Sequence, residues 1–292
     1  MDKKVVINNY NIKHNGINKD INIKVISDIH LCESFNSKKL DIIKDKILDG
    51  KTNYLFVCGD IIDSTNFLYK SNDLKTKYIN WFKSIAKKVP IYIVLGNHDF
   101  VKLNDDKEPS YDFNEDFFNS LSSISNVYVS CKKNYYELDD IIILMIESKW
   151  EYYYEENYSE KLLIDELNKN KKHLKQKNNK LKVLLIHSPI NMKNEKVISL
   201  TKDYDIVLSG HMHGGIIPFN INRFIPGNRG LISPNKNLFP KYARGYMKSN
   251  INENVQHLII SGGITKLQEC TGILRKFNFL FPMEIENINV YK

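Results

Sequence analysis

The feature that most constrains this chain is a set of short apolar, β-branched runs that each stop at a polar cluster. Ile91-Tyr92-Ile93-Val94-Leu95 breaks at Gly96-Asn97-His98-Asp99. A run of that length bounded by a turn signal suits a strand buried on both faces. In open α/β sheets, sites form at the carboxyl edges of such strands. This one delivers Asn97, His98 and Asp99 to an edge together.

Four further runs end the same way. Ile21–Ile26 leads into Ser27-Asp28-Ile29-His30, and Tyr54–Cys58 into Gly59-Asp60-Ile61-Ile62-Asp63. Val183–Ile186 leads into His187-Ser188-Pro189, and Asp205–Leu208 into Ser209-Gly210-His211-Met212-His213-Gly214-Gly215. Asp28 and His30, two residues apart, point the same way if the chain is extended there. Each cluster alone has a bland reading, a loop-capping Asp or a satisfied core His. Five together do not, because buried charge is costly unless it is paired or bound to metal. A metal site is the reading that explains all five.

The text between the clusters sets the frame. Lys4–His14 and Asp20–Asp28 read as two arms of a hairpin around Asn15-Gly16. Leu74, Tyr78, Trp81, Phe82 and Ile85 recur at helical spacing within Asp73–Val89, before Pro90. Shorter helices are expected at Leu40–Leu48, at Phe113–Leu121, and after a capping Ser159 over Leu162–Leu174. Val127–Val129, Tyr135–Leu138 and Ile141–Ile146 follow one another without helices, which implies a second sheet. His257–Ile260 adds a strand. Residues 216–250, holding several Pro, Gly and Arg, read as a long loop inserted over one face. No repeat or boundary divides the 292 residues, so a single domain over 1–292 is expected.

The formal charge of +8 is spread along Lys-Asn-Ile-rich text. No basic stripe interleaved with aromatics appears, which argues against specific nucleic-acid binding. Attraction to anionic substrates, or peripheral contact with an anionic membrane, fits that balance. Cys32, Cys58, Cys131 and Cys270 are far apart and read as buried thiols in a reducing compartment. Neither a signal-peptide h-region nor a membrane-spanning run is present. A cytoplasmic location is the expectation.

The order of the five clusters, over residues from about 21 to 215, resembles the calcineurin-like metallophosphoesterase superfamily. The resemblance implies an α+β / α/β fold, a four-layer sandwich of two packed mixed β-sheets flanked by helices. It also implies two divalent metal ions. Asp28, His30, Asp60 and His213 would hold the first, and Asp60, Asn97, His187 and His211 the second, with Asp60 bridging. Oxygen and imidazole donors without thiolate suit Mn, Fe or Zn, and Mn is favoured here. Two such ions with Asp28, Asp60 and a bridging hydroxide keep about one positive charge, which attracts phosphate. Ions roughly 3.5–4 Å apart lower the pKa of a bridging water and clamp phosphoryl oxygens. The hydroxide attacks in line, and His98 is the candidate general acid. Asp63 is placed to orient its imidazole. Asp99 is expected to cap the loop.

Trp150, Tyr152, Tyr153 and Tyr154 either line a substrate pocket or pack under the second sheet. The 216–250 loop, with Phe219, Phe224, Phe239, Arg223, Arg229 and Arg244, reads first as a packed crossover. As a lid, its arginines would bind phosphate or nucleotide. Phosphoprotein phosphatases carry Arg and Glu where this chain has Ser64 and Asp99, so protein dephosphorylation is not expected. Gly-His-Met-His-Gly-Gly with Pro218, Ser261-Gly262-Gly263, Arg275 and Pro282-Met283-Glu284-Ile285 resemble a bacterial branch. That branch holds membrane-associated phosphodiesterases and UDP-diacylglucosamine pyrophosphatases. The implied substrate is a phosphodiester or pyrophosphate, including lipid or nucleotide-sugar diesters. The alternatives are a phosphomonoesterase on small metabolites and a non-catalytic interaction scaffold.

Overall fold

The computed structural model describes residues 5–292 except 107, 156–158, 175–178, 235, 252–253 and 268–272. The strands, in chain order, are β1 (Val5–Lys13), β2 (Ile21–Ile26), β3 (Tyr54–Cys58), β4 (Ile91–Val94), β5 (Val101–Leu103), β6 (Pro109–Tyr111), β7 (Val127–Val129), β8 (Tyr135–Glu137), β9 (Ile141–Ile146), β10 (Leu181–Ile186), β11 (Ile206–Ser209), β12 (Gly245–Ile251), β13 (Asn254–Ile260) and β14 (Met283–Tyr291). The helices are α1 (Ser37–Leu48), α2 (Asn66–Lys70), α3 (Asn72–Ala86), α4 (Glu115–Ser122), α5 (Trp150–Tyr154), α6 (Glu160–Asn170) and α7 (Glu195–Thr201).

Side-chain alternation builds four layers from these elements. Phe56, Cys58, Tyr92 and Val94 of the first sheet face Ile141, Ile143, Val183, Leu185, Ile206 and Leu208 of the second in one core. The intervening residues, Leu55, Val57, Ile91 and Ile93, turn outward onto α1, α3 and α4. On the far side, Leu144, Ile146, Leu184 and Ile186 pack against α5, α6 and α7. The sheets are ordered β1-β14-β2-β3-β4-β7 and β12-β13-β11-β10-β9-β8. Within them β2, β3, β4 and β7 run parallel, as do β9, β10, β11 and β13. This is the expected mixed, two-sheet sandwich.

Several local expectations are corrected. The N-terminal arms do not form a hairpin. β14 lies between them, parallel to β1 and antiparallel to β2. Asparagine side chains fasten this arrangement: Asn22 Nδ2 donates to Asn287 Oδ1 at 2.8 Å and Asn287 Nδ2 to Asn9 Oδ1 at 2.7 Å. A turn signal specifies only a reversal, whereas the three-strand amide ladder specifies the partner. Val127–Val129 joins the first sheet beside β4 rather than the second, because α4 supplies a crossover back to the same sheet. Residues 245–250 of the expected loop belong to β12 and pair with β13. α6 follows Ser159, but that side chain makes no capping bond. Cys58 and Cys131 are free, whereas Cys32 is disulfide-bonded, so the reading of four free thiols fails at Cys32. Cys270 lies outside the described residues. Among those residues, no helix is long and apolar enough to cross a membrane.

Candidate metal centre

The loops after β2, β3, β4, β10 and β11 meet where the carboxyl edges of the two sheets adjoin. Three sets of donors arise there: Asp28, His30 and His213; His30, Asp60 and His98; and Asp60, His187 and His211. In each set the ligand atoms lie within 4.8 Å of one another. Asp60 is shared between two sets, which is what a bridging carboxylate requires. Asn97 adjoins the third, its Oδ1 lying 3.1 Å from both His187 Nε2 and His211 Nδ1.

The backbone reaches this geometry by a route the sequence does not display. Asp28, His30, Asp60, His211 and His213 have φ between 48° and 69°, the left-handed region that side chains rarely adopt. The extended geometry expected for Asp28-x-His30 is therefore wrong: two tight reversals aim these side chains, not a strand pleat. Neighbouring glycines make room. A Cβ at Gly210 would lie 2.6 Å from Ser27 Cβ and 2.8 Å from Asp28 Oδ2.

Hydrogen bonds fix which atoms face the centre. Nδ1 of His187 and of His213 donate to the carbonyls of Cys58 and Thr265 at 2.7 and 2.6 Å, leaving each Nε2 for a ligand. Asn97 donates its Nδ2 to Tyr154 Oη at 3.2 Å, which directs Oδ1 inward. Asp28 accepts from the His211 backbone N–H at 3.1 Å, and Asp60 Oδ1 accepts from the His98 N–H at 2.8 Å. Asp99 accepts from the N–H groups of Ile61, Ile62 and Gly96 at 3.0, 3.2 and 2.9 Å, tying the β3 loop to the β4 loop. Burial, helped by the charge of Asp60, lifts its carboxyl to about 7.

The donors fit divalent cations. Both ring nitrogens of His30, Asp60 Oδ2 and Asp63 Oδ1 are buried without a hydrogen-bond partner, although Asp60 Oδ2 lies 3.7 Å from His30 Nε2 and 3.2 Å from His187 Nε2. Burial favours the neutral rings of His30 and His187, yet the surrounding carboxylates together outweigh it and raise them to about 8 and about 9. Burial lowers His211 and His213, with repulsion from His187 and His30 respectively acting in the same direction. The centre thus calls for positive charge, and without metal it draws protons onto two histidines. All donors are oxygen or imidazole nitrogen, which suits Mn, Fe or Zn.

A family model, calcineurin-like phosphoesterase, matches residues 21–215, the span that supplies every one of these donors. The chain belongs to the calcineurin-like phosphoesterase family. An uncharacterised metallophosphoesterase from Campylobacter jejuni is 25% identical over 210 residues, covering 70% of this chain. The chain matches 47% of that relative, about half its length. A dimetal phosphatase from Danio rerio is similar in structure, at 12% identity and a TM-score of 0.48, over 83% of this chain and 87% of that one. GAP50 from Plasmodium is similar at 13% identity and a TM-score of 0.45, over 87% and 75%.

In this family member His98 and Asp63 sit beside the donors, but not as expected. His98 Nδ1 donates to the backbone carbonyl of Asp63 at 2.7 Å, whereas the Asp63 carboxylate lies 3.6 Å from His30 Nδ1. Asp63 therefore orients His98 through its main chain and faces His30 with its side chain. Of the aromatic cluster, Tyr152 and Tyr153 pack under the second sheet. Tyr153 is buried with its ring 5.5 Å from that of His211, while Tyr152 lines an adjoining cleft. Arg244 is committed to packing, bound to the Asn222 side chain and to the carbonyls of Ile225 and Arg229, so it is not a spare phosphate ligand. The Arg223 side chain lies outside the description.

Two clefts, each about 300 Å³, lie near the site. One is bounded by His211, Tyr152, Asn191, Asn237, Lys241 and Tyr242. The other is bounded by Asp63, Ser64, Glu33, Lys70, Asn104 and Asp105. A larger cleft of about 790 Å³, beside Asn8, Tyr10 and Arg244, contains none of the donors. Sequence reasoning missed Thr265, Tyr154 and Cys58. Thr265 and Cys58 act through main-chain carbonyls, which carry no residue signal. Tyr154 stood in the aromatic cluster without a cue to its Asn97 bond.

Proposed function

We propose that this chain hydrolyses a phosphodiester. Two divalent ions, Mn favoured, would be held by Asp28, His30, Asp60 and His213 and by Asp60, Asn97, His187 and His211. When bound they supply Lewis acidity and a water of lowered pKa. The observation that supports the reading is a pair of clefts, one bounded by the donor His211 and the other by Asp63, whose carbonyl holds His98. A monoester has one organic group to place, and a diester has two.

In the reaction a water oxygen bonds to phosphorus and the ester P–O bond breaks. The departing oxygen takes a proton from His98, and the proton lost by water passes to solvent. A carbonyl only accepts, so His98 Nδ1 keeps its proton towards Asp63. The proton given to the leaving oxygen is therefore carried on Nε2 of the protonated ring. Asn97, held by Tyr154, contributes a neutral oxygen that leaves the net charge of the site positive. A lipid or nucleotide-sugar diester, as the branch resemblance implies, is one member of this class.

The test is hydrolysis of bis-p-nitrophenyl phosphate against p-nitrophenyl phosphate on chelated protein reloaded with Mn²⁺. A diester preference is expected. A clear monoester preference would replace this reading with a phosphomonoesterase acting on small metabolites.

A further inference from the structure

The two clefts differ in charge, and the difference bears on what the substrate carries. The cleft beside His211 has the ammonium of Lys241, the amides of Asn191 and Asn237 and the rings of Tyr152 and Tyr242; no carboxylate is among its described lining residues, Glu160 lying behind Asn191. Lys241 is exposed, and its segment contains no Asp or Glu from residue 206 to residue 252. No acid on its own stretch of chain therefore neutralises it. The other cleft has Glu33, Asp63 and Asp105 among its described lining residues, with Lys70 the one cation among them, its Nζ already 4.0 Å from Glu33. His98 is tied to Asp63 at this second cleft, so the leaving group departs towards carboxylates and the retained ester lies towards Lys241. A second anion is repelled on the leaving side and attracted on the retained side.

We infer that the cleft beside His211 is a second anion subsite, and that the retained ester group carries a phosphate or carboxylate bound by Lys241. Asn237 supplies an amide donor to the same group, whereas the Asn191 amide is committed to the Glu160 carboxylate at the rim. Tyr152 and Tyr242 bound it sideways, which sets its reach from the reacting phosphorus. The inference rests on the phosphodiesterase reading for which ester is cleaved, but the anion subsite is tested by binding alone.

The experiment is calorimetric titration of the Mn²⁺-loaded protein with three mimics of the retained product: glycerol 3-phosphate, 3-phosphoglycerate and glycerol 1,3-bisphosphate. The two doubly functionalised ligands should bind on the order of tenfold more tightly than glycerol 3-phosphate. Whichever of them gains more identifies the second group as phosphate or carboxylate. Lys241→Ala should erase the gain and Lys241→Arg should keep it, both variants melting like the parent. Equal affinities for all three ligands, or a gain that survives Lys241→Ala, would overturn the subsite. Turnover of bis-p-nitrophenyl phosphate reports separately. Its absence alongside Lys241-dependent binding sinks the esterase reading and leaves the subsite, and its presence with Lys241-independent binding does the reverse.

Discussion

Replacing Glu286 by Gln should abolish a pH-dependent loss of stability without disturbing the metal centre. Glu286 is fully buried in β14. One oxygen accepts from the Gly262 N–H at 3.2 Å and the other from Tyr10 Oη at 3.1 Å. The ammonium of Lys266 is 2.7 Å from Glu284 instead. Burial, reinforced by the charge of Glu284, raises the Glu286 carboxyl from its ordinary 4.5 to about 7. A carboxyl raised on folding binds more protons in the native than in the unfolded chain. Its contribution to stability is full below pH 4.5 and is lost as pH rises through about 7. At about 1.4 kcal/mol per pH unit, that loss reaches about 3 kcal/mol by pH 8.

Glutamine keeps both contacts, its oxygen accepting from Gly262 and its amide donating to Tyr10, and it does not titrate. Urea unfolding of the chelated protein, followed by tryptophan fluorescence at pH 5, 6, 7 and 8, measures the difference. Parent and variant should agree within about 0.5 kcal/mol at pH 5, the usual scatter of a neutral change. They should separate steadily, with the variant more stable by up to about 3 kcal/mol at pH 8. Titrating groups that do not interact with Glu286 change both proteins alike and cancel, while the Glu284 contribution is part of the measured difference. Parallel curves, or a variant less stable at pH 8, would refute the reasoning.

Two further outcomes concern the centre directly. Asp60→Asn should lower the metal content, read by plasma mass spectrometry, from about two ions per chain. It should also reduce turnover by more than the ~10–100-fold typical of losing an outer partner; full occupancy with full turnover would contradict the bridging assignment. His98→Ala should slow a diester with a poor alkoxide leaving group by roughly 10²–10⁴-fold, the usual worth of general acid catalysis. It should slow bis-p-nitrophenyl phosphate far less, and equal losses on both would mean that His98 is not the proton donor.

Much of the frame was legible because buried strands write their own period. Leu55 and Val57 turn one way and Phe56 and Cys58 the other, as the run Tyr54–Cys58 implies. The donors were legible because costly residues recur at strand ends, where a purely structural role is hard to supply. What was not legible is non-local or carried by the main chain. Nothing in Val5–Lys13 says that its partner is Met283–Tyr291, 278 residues away, rather than the arm beyond Asn15-Gly16. Asp63 was read as a carboxylate, yet its carbonyl is what His98 meets. The positive φ of Asp28, His30, Asp60, His211 and His213 falls on residues that rarely adopt it, and no residue type at those positions announces it.

Those turns bear on whether metal creates the site or finds it. A non-glycine residue held at positive φ costs on the order of 1 kcal/mol or more, so the strained donors work against folding unless the surroundings hold them. The surroundings do so by continuing the sheet ladder beyond the strand ends. Asp28 N–H donates to Gly59 O at 3.0 Å, His30 N–H to Asp60 O at 3.1 Å and Leu31 N–H to Ile61 O at 2.8 Å. The segment after β13 locks the other edge, with Ile264 and Thr265 donating to Ser27 O and Asp28 O at 3.0 and 2.9 Å. Each strained donor is thus flanked by main-chain bonds that a relaxed φ would break. The donors converge because the backbone is knitted around them, and without metal the surrounding carboxylates raise the pKa of His30 and His187. Binding two ions then exchanges those protons for metal with little rearrangement, so metal affinity weakens as pH falls below the raised pKa values of those two rings.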